Sequence, residues 1–297
     1  MLHRQRTLLY LLKLAGGHAT KLQVTKWAFL LANESPAKGG DSFYEFLPYK
    51  FGPYSFCLYQ EGNAMLTQGL LTARDDKTWA LTDEGRTAAA ATPEEFKADA
   101  AQIYRRYGQV EYRRLLEDVY VRYPWFSVNS EVKRLASRPK AEPAIYTAGY
   151  EGLTIDGFLN RLIEAGMERL IDVRSNPVSR RYGYHKSTLA RLCGDVGIAY
   201  VHFPQLGIAS EERQELLALD DRETLFANYE AKILPNQKPS IHEVARLMKE
   251  RASVLVCMEA DPADCHRSRL AGAVSQLLDL PRHDLGTCAC HGGTAVH

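Results

Sequence analysis

No apolar run in this 297-residue chain approaches the roughly 18 residues that a membrane-spanning helix needs. Cysteine is sparse. The six, at positions 57, 193, 257, 265, 288 and 290, are scattered rather than regularly spaced. That excludes a secreted disulfide framework and leaves reduced thiols as the expectation. Net charge is nearly absent, at +1, so the chain as a whole is not a polycation made for polyanions. A secretory leader is not expected either. The first residues are basic and then apolar, but Lys13 interrupts the apolar part, and the spacing is that of an amphipathic helix. A cytoplasmic protein with no membrane partner is expected.

The charge that is present lies unevenly. Residues 1–140 carry 20 Lys and Arg against 15 Asp and Glu, whereas residues 141–297 carry 17 against 21. The basic excess sits in 101–140, at Arg105, Arg106, Arg113, Arg114, Arg122, Lys133, Arg134, Arg138 and Lys140. Such a cluster is either a nucleic-acid-facing surface or a solvated helix face. Length suggests two domains. Pattern separates three segments: a domain over 1–91, a basic helical connector over 92–140, and a domain over 141–297.

The first segment has the order of a winged helix. Residues 8–14 have helical spacing. Thr20, with Gln23 three residues on, is a capping box. It opens a helix that buries Leu22, Val24, Trp27, Ala28, Leu30 and Leu31. A loop over 35–41 and a third helix over 53–68 follow. Residues 70–72 and 79–81 flank Asp75-Asp76-Lys77 as a hairpin, and Thr82 starts another helix. Winged helices usually bind DNA through the third helix and the hairpin. Here the third helix offers Tyr54, Ser55, Tyr59, Gln60, Glu61 and Asn63 rather than basic residues, so a protein-binding role stands beside a DNA-binding one. The runs Thr20-Lys21-Leu22-Gln23, Phe43-Tyr44-Glu45-Phe46, Tyr49-Lys50-Phe51-Gly52-Pro53-Tyr54-Ser55 and Leu66-Thr67-Gln68-Gly69-Leu70 resemble the Panacea domain of antitoxin-like proteins. That resemblance implies a helical module engaged in protein contacts or regulation. In the connector, Thr92-Pro93-Glu94-Glu95 is a helix start. One long helix is expected after it, with Tyr104, Tyr107, Tyr112, Leu115, Leu116, Val119 and Tyr120, ending at Tyr123-Pro124-Trp125. Its aromatics among arginines either stack on bases or pack between domains.

The third segment alternates strands (144–148, 169–173, 198–203, 254–257) with helices (154–165, 186–195, 221–234, 240–251, 265–277). This predicts an α/β fold, a Rossmann-like, mostly parallel sheet with helices on both faces. Ligands of such sheets bind beyond the carboxyl ends of the strands. There the sequence places Tyr150 and Glu151, then Asp172, Arg174, Ser179 and Arg180, then Gln205, then Cys257, Glu259, Cys265, His266 and Arg267. Four segments delivering polar groups to one rim predict a cleft. The last helix start, with His266 and Arg267, favours an anion. Arg174, Arg180 and Arg267 suit bidentate bonding to phosphate, or else pair with carboxylates.

Glu259 and Asp172 are the candidate catalytic carboxylates, and Tyr150 could stack on a base. Cys257 is a candidate nucleophile. Against that role, Glu259, Asp261 and Asp264 in its loop repel an anion and disfavour a thiolate. Zinc on Cys265 and His266, completed by Cys288, Cys290 and His291, is disfavoured because adjacent ligands on one helical turn seldom converge. No metal and no cofactor are therefore expected.

The order Gly149-Tyr150-Glu151-Gly152, Asp172-Val173-Arg174-Ser175-Asn176-Pro177-Val178-Ser179-Arg180, Gln205-Leu206-Gly207 and Cys257-Met258-Glu259-Ala260-Asp261-Pro262-Ala263-Asp264-Cys265-His266-Arg267-Ser268 resembles the bacterial family called domain of unknown function 488, over 144–275. The resemblance implies a Rossmann-like fold, a site at these residues and a link to DNA or base metabolism, but no defined reaction. The leading expectation is a DNA- or nucleotide-directed hydrolase of N-glycosidic or related type, in repair or defence, with Glu259 or Asp172 activating water. The alternatives are a non-catalytic, nucleotide-sensing DNA-binding regulator and a cysteine-dependent phosphatase or sulfurtransferase.

Overall fold

The computed structural model describes residues 1–209 and 222–286. The chain divides into two units, Met1–Arg138 and Pro139–His297. In the first, α1 (His3–Leu14) buries Leu8, Leu9, Leu11 and Leu12. A short strand, β1 (His18–Thr20), leads into α2 (Lys21–Glu34). The capping box forms as expected: Thr20 Oγ1 accepts from Gln23 N at 3.2 Å, and Gln23 Oε1 accepts from Thr20 N at 3.1 Å. After β2 (Leu47–Tyr49) and β3 (Gly52–Tyr54), α3 (Phe56–Thr67) starts on a Ser55 cap. The predicted hairpin is β4 (Leu71–Asp75) and β5 (Thr78–Leu81), joined by β1 as a third antiparallel strand in the order β1-β5-β4. Thr82 caps α4 (Asp83–Ala90).

The basic stretch differs from the expected single helix and from a separate connector. It forms α5 (Glu94–Tyr107) and α6 (Tyr112–Arg122), broken at Gly108, with the Glu111 side chain capping α6 at Arg114 N, 3.1 Å. Thr92 does not cap α5; its hydroxyl donates to the carbonyls of Arg6 and Ala89. Ala100, Ile103, Tyr107, Leu115 and Val119 share one buried core with α1 and α2. The aromatic side chains largely serve that packing, whereas Arg105, Arg106, Arg113 and Arg114 are exposed. Tyr107 donates to Glu34 at 2.7 Å, and Arg122 pairs with both Glu34 and Asp118. The buried charged residues of this unit are Lys26, Glu61 and Asp99. Lys26 in α2 is 1% exposed and donates from Nζ to the Pro53 carbonyl at 2.8 Å. Burial lowers its pKa from 10.5 to about 7.

In the second unit, five strands among the described residues form an all-parallel sheet: β6 (Ile145–Gly149), β7 (Arg169–Asp172), β8 (Ala199–His202), β9 (Ser253–Cys257) and β10 (Arg282–Asp284), in the order β10-β6-β9-β7-β8. The flanking helices are α7 (Ile155–Glu164), α8 (Lys186–Asp195), α9 (Arg222–Asn228), α10 (Lys238–Glu250) and α11 (His266–Leu278). Ile145, Ile171, Leu255 and Cys257 pack with Ile241, Val244, Leu270 and Val274 of α10 and α11. Their strand neighbours Ala148, Leu170, Val254 and Val256 are equally buried and project to the opposite face.

The edge strand β10 is exposed at all three residues, so it has no apolar alternation to announce it. The helix expected over 221–234 begins outside the described residues. After Asn228 it widens into a π-helical turn, Tyr229–Ile233, and then tightens at Leu234–Gln237, where Pro235 contributes no N–H. No helix among the described residues is long and apolar enough to cross a membrane.

Candidate functional site

Strand order creates the cleft. β6 leads to β7 on the far side of β9, while β9 leads to β10 on the far side of β6. Adjacent strands whose connections depart in opposite directions leave a crevice at their carboxyl ends. The two loops that follow are tied together: Tyr150 N and Glu151 N both donate to the Met258 carbonyl, at 3.1 and 2.9 Å, and Ala260 N donates to the Glu151 carboxylate at 3.0 Å. Gly149 permits this approach, because a Cβ there would collide with the Glu259 carbonyl. Between these loops and the end of β7 lies a cavity of about 420 Å³. Of the predicted residues, Tyr150, Glu151, Arg174, Cys257, Glu259, Cys265 and His266 line it.

Asp172 and Arg174 form a bonded pair, with Arg174 in the cavity wall and Asp172 behind it. Asp172 is fully buried and accepts from Arg174 Nε at 2.9 Å, from Arg174 Nη2 at 2.6 Å and from the Tyr200 hydroxyl at 2.7 Å. Arg174 Nη1 donates to the Tyr150 hydroxyl at 2.8 Å and to the Tyr184 carbonyl at 2.9 Å. These bonds engage all but one of the guanidinium's N–H groups. Burial opposes the Arg174 charge, but its bonds to Asp172 and that carboxylate's charge outweigh burial and raise its pKa. Tyr150 stacks on Tyr184, with ring centroids 4.1 Å apart. Burial raises its hydroxyl pKa, against the pull of Arg174. The expected roles change accordingly. Asp172 orients Arg174 and has no lone pair directed at the cavity for a base's work, and Tyr150 offers no ring face to a ligand on the side that Tyr184 covers.

Arg267 is likewise turned into the protein. It is fully buried, bonds to the Glu259 carbonyl, and donates from Nη2 to the Ala260 carbonyl at 3.0 Å and to Asp284 at 3.1 Å. It fastens the β9 loop to β10 and is absent from the cavity wall. The guanidinium groups of Arg174 and Arg267 are thus largely committed to the protein's own acceptors. The cavity wall instead carries four carboxylates: Glu151, Glu259, Asp261 and Asp264.

A thiol–imidazole–carboxylate cluster stands at the β9 end. The Cys257 and Cys265 thiols donate to Glu259 Oε2 at 3.1 and 3.0 Å. Cys257 Sγ lies 3.8 Å from His266 Nδ1, and His266 Nε2 lies 3.1 Å from the Val173 carbonyl. A carbonyl only accepts, so Nε2 carries the hydrogen, and Nδ1 of the neutral ring keeps its lone pair. Burial pushes the Cys265 thiol pKa well up. Cys265 and His266, expected seldom to converge as neighbours on one helical turn, do converge with Cys257. Cys265 is extended, at φ −136° and ψ 137°, and His266 is the first helical residue, so the pair straddles a change of backbone rather than sharing a helical turn. Cys288, Cys290 and His291 lie outside the described residues.

Ser179, Arg180 and Gln205 are not brought to the cavity. Ser179 Oγ closes a local turn with Arg181 N, Arg180 is exposed, and Gln205 donates to Ser240 Oγ at 2.9 Å. Residues missed from sequence include Ile208, Leu225 and Phe226, which line the cavity as apolar residues without a chemical signature. Tyr200 was legible in principle, because it shares a strand face with His202, which lies in register with Asp172.

Residues 154–274 match the family model described as Domain of unknown function DUF488. No curated protein and no solved structure matches the chain. The DUF488-like segment runs from Thr154, the cap of α7, into α11. It contains the Asp172–Arg174 pair and the whole Cys257–His266 cluster, while Tyr150 and Glu151 lie just before it.

Proposed function

We propose that the second unit is a hydrolase that cleaves a carbon–nitrogen bond of a base or nucleoside, with Glu259 as its acid–base group. One observation carries this reading. Asp172 and Arg267 lie outside the cavity wall in the protein's own bonds, whereas Glu259 stands in that wall beside Glu151, Asp261 and Asp264, accepting from the Cys257 and Cys265 thiols. A cavity of about 420 Å³ is of a size that takes a small molecule. Phe226, Ile208 and Met258 supply apolar contacts, and Glu151, Asp261 and Asp264 offer acceptors to amino and ring N–H donors. Cleavage of an N-glycosidic bond builds positive charge on the sugar, and an acidic wall stabilises that charge. The same wall opposes a phosphate or a thiolate nucleophile.

In the proposed step, Glu259 takes a proton from water, the water oxygen bonds to the carbon, and the carbon–nitrogen bond breaks. The proton then passes to the departing nitrogen. The test is incubation of the full chain with nucleosides and with oligonucleotides carrying modified bases, followed by mass spectrometry. Turnover that falls by about 10²–10⁴ in Glu259→Gln is expected. No product, or product indifferent to that substitution, overturns the reading.

For the first unit we infer a winged-helix-like module that engages a protein partner. The helix and hairpin order and the Panacea-like runs support the module. The third helix, Phe56–Thr67, holds no Lys or Arg, which favours protein over DNA. Duplex DNA added at low salt should not bind; salt-dependent binding would show otherwise.

A further inference from the structure

We propose that Cys257, Cys265 and His266 form a zinc site, with Sγ, Sγ and Nδ1 as ligands and the fourth position facing the cavity. The three ligand atoms all lie within 4.8 Å of one another, on buried residues. A tetrahedral ion with bonds of about 2.0–2.3 Å places its ligand atoms roughly 3.4–3.8 Å apart. The 3.8 Å between Cys257 Sγ and His266 Nδ1 already meets that requirement. The orientation of the imidazole is a second, independent observation. Its Nε2–H is held by the Val173 carbonyl, the outer-shell arrangement that leaves Nδ1 as a ligand. The Tyr229 ring packs against the imidazole at an interplanar angle of 63°, with centroids 5.3 Å apart.

Two sulfurs and one nitrogen favour a soft, tetrahedral ion over calcium or magnesium. Three protein ligands around an open position is the arrangement of catalytic rather than structural zinc. The carboxylates Glu151, Asp261 and Asp264 in the wall draw a cation in. Loading exchanges protons for the ion: Zn²⁺ displaces the two thiol hydrogens now directed at Glu259, giving a neutral two-thiolate, one-imidazole centre and two released protons, with no change of redox state. Glu259 then faces water at the fourth position. Only that last point rests on the hydrolase reading; the ligand set stands without it.

The test is titration of chelator-treated, full-length protein with Co²⁺ and then Zn²⁺. One equivalent of Co²⁺ should give the visible bands of a tetrahedral ion and thiolate-to-cobalt charge transfer, displaced by Zn²⁺, with two protons released per ion. Cys257→Ser, Cys265→Ser and His266→Ala, each checked for folding by circular dichroism, should weaken binding by more than the ~10–100-fold that loss of an outer-shell partner costs. Glu259→Gln and Cys288→Ser/Cys290→Ser should keep the signal. The site is overturned if wild type shows no thiolate charge transfer, if the signal survives in Cys257→Ser, or if it depends on Cys288 and Cys290. A Cys257–Cys265 disulfide in place of a metal-binding pair would overturn it as well. Cobalt binding without turnover keeps this site and removes the hydrolase; Glu259-dependent turnover without cobalt binding does the reverse.

Discussion

Lys26→Met should stabilise the first unit at neutral pH and lose that advantage in alkali. The Lys26 amine is enclosed and donates to the Pro53 carbonyl at 2.8 Å. Burial holds its pKa at about 7, against 10.5 for the unburied group. Between those values the unfolded chain binds a proton that the folded chain does not. Stability therefore rises with pH across the window from about 7 to 10.5, and the full penalty is present below it. At about 1.4 kcal/mol per pH unit, the penalty is roughly 5 kcal/mol. Methionine keeps the apolar stem and removes the amine, leaving the Pro53 carbonyl without that donor at a cost of about 1–3 kcal/mol. The variant should thus gain about 2–4 kcal/mol at pH 7. Near pH 10.5 it should be the less stable protein by the carbonyl's share alone. Urea unfolding of the full chain, read by tryptophan fluorescence, suits the question, because Trp27, Trp79 and Trp125 all lie in the first unit. A difference between wild type and variant that stays constant from pH 7 to 10 would refute the reasoning, as would a variant that is less stable at pH 7.

Three further outcomes follow from the packing. Asp172→Asn leaves the buried Arg174 charge uncompensated and should cost about 3–5 kcal/mol in urea unfolding followed by circular dichroism; a loss under about 1 kcal/mol would mean that the pair is not closed. Gly149→Ala drives a methyl group into the Glu259 backbone and should cost about 1–3 kcal/mol. It should also speed hydrogen exchange at the Tyr150 and Glu151 amides, which unchanged protection would contradict. Thr20→Ala removes the α2 cap and should lower stability by about 1 kcal/mol in the fluorescence assay, whereas no change would show that Gln23 alone satisfies the helix start.

The local elements were legible because their causes are local. Thr20 and Gln23 announce a helix start from three residues' separation, and Lys186–Asp195 and the β4–β5 hairpin follow from spacing and turn chemistry. The continuous apolar run of β9 implies a strand buried on both faces, and the alternation of strand and helix implies the parallel sheet that forms. Sequence likewise placed the polar residues after β6, β7 and β9, where a cavity lies.

Tertiary structure alone decided which of those residues line the cavity. Sequence left Arg174 and Arg267 open between phosphate and carboxylate partners; those they take, Asp172, the Tyr184 carbonyl and Asp284, are fixed by strand order and loop path. Cys257 and His266 are nine positions apart, and no periodicity predicts that Sγ and Nδ1 come within 3.8 Å. The loop 258–264 must first return the chain, and Cys265 must stay extended before α11 begins. Periodicity and capping operate over one turn of chain, whereas a side chain's bonding partners depend on which distant segments the sheet brings beside it.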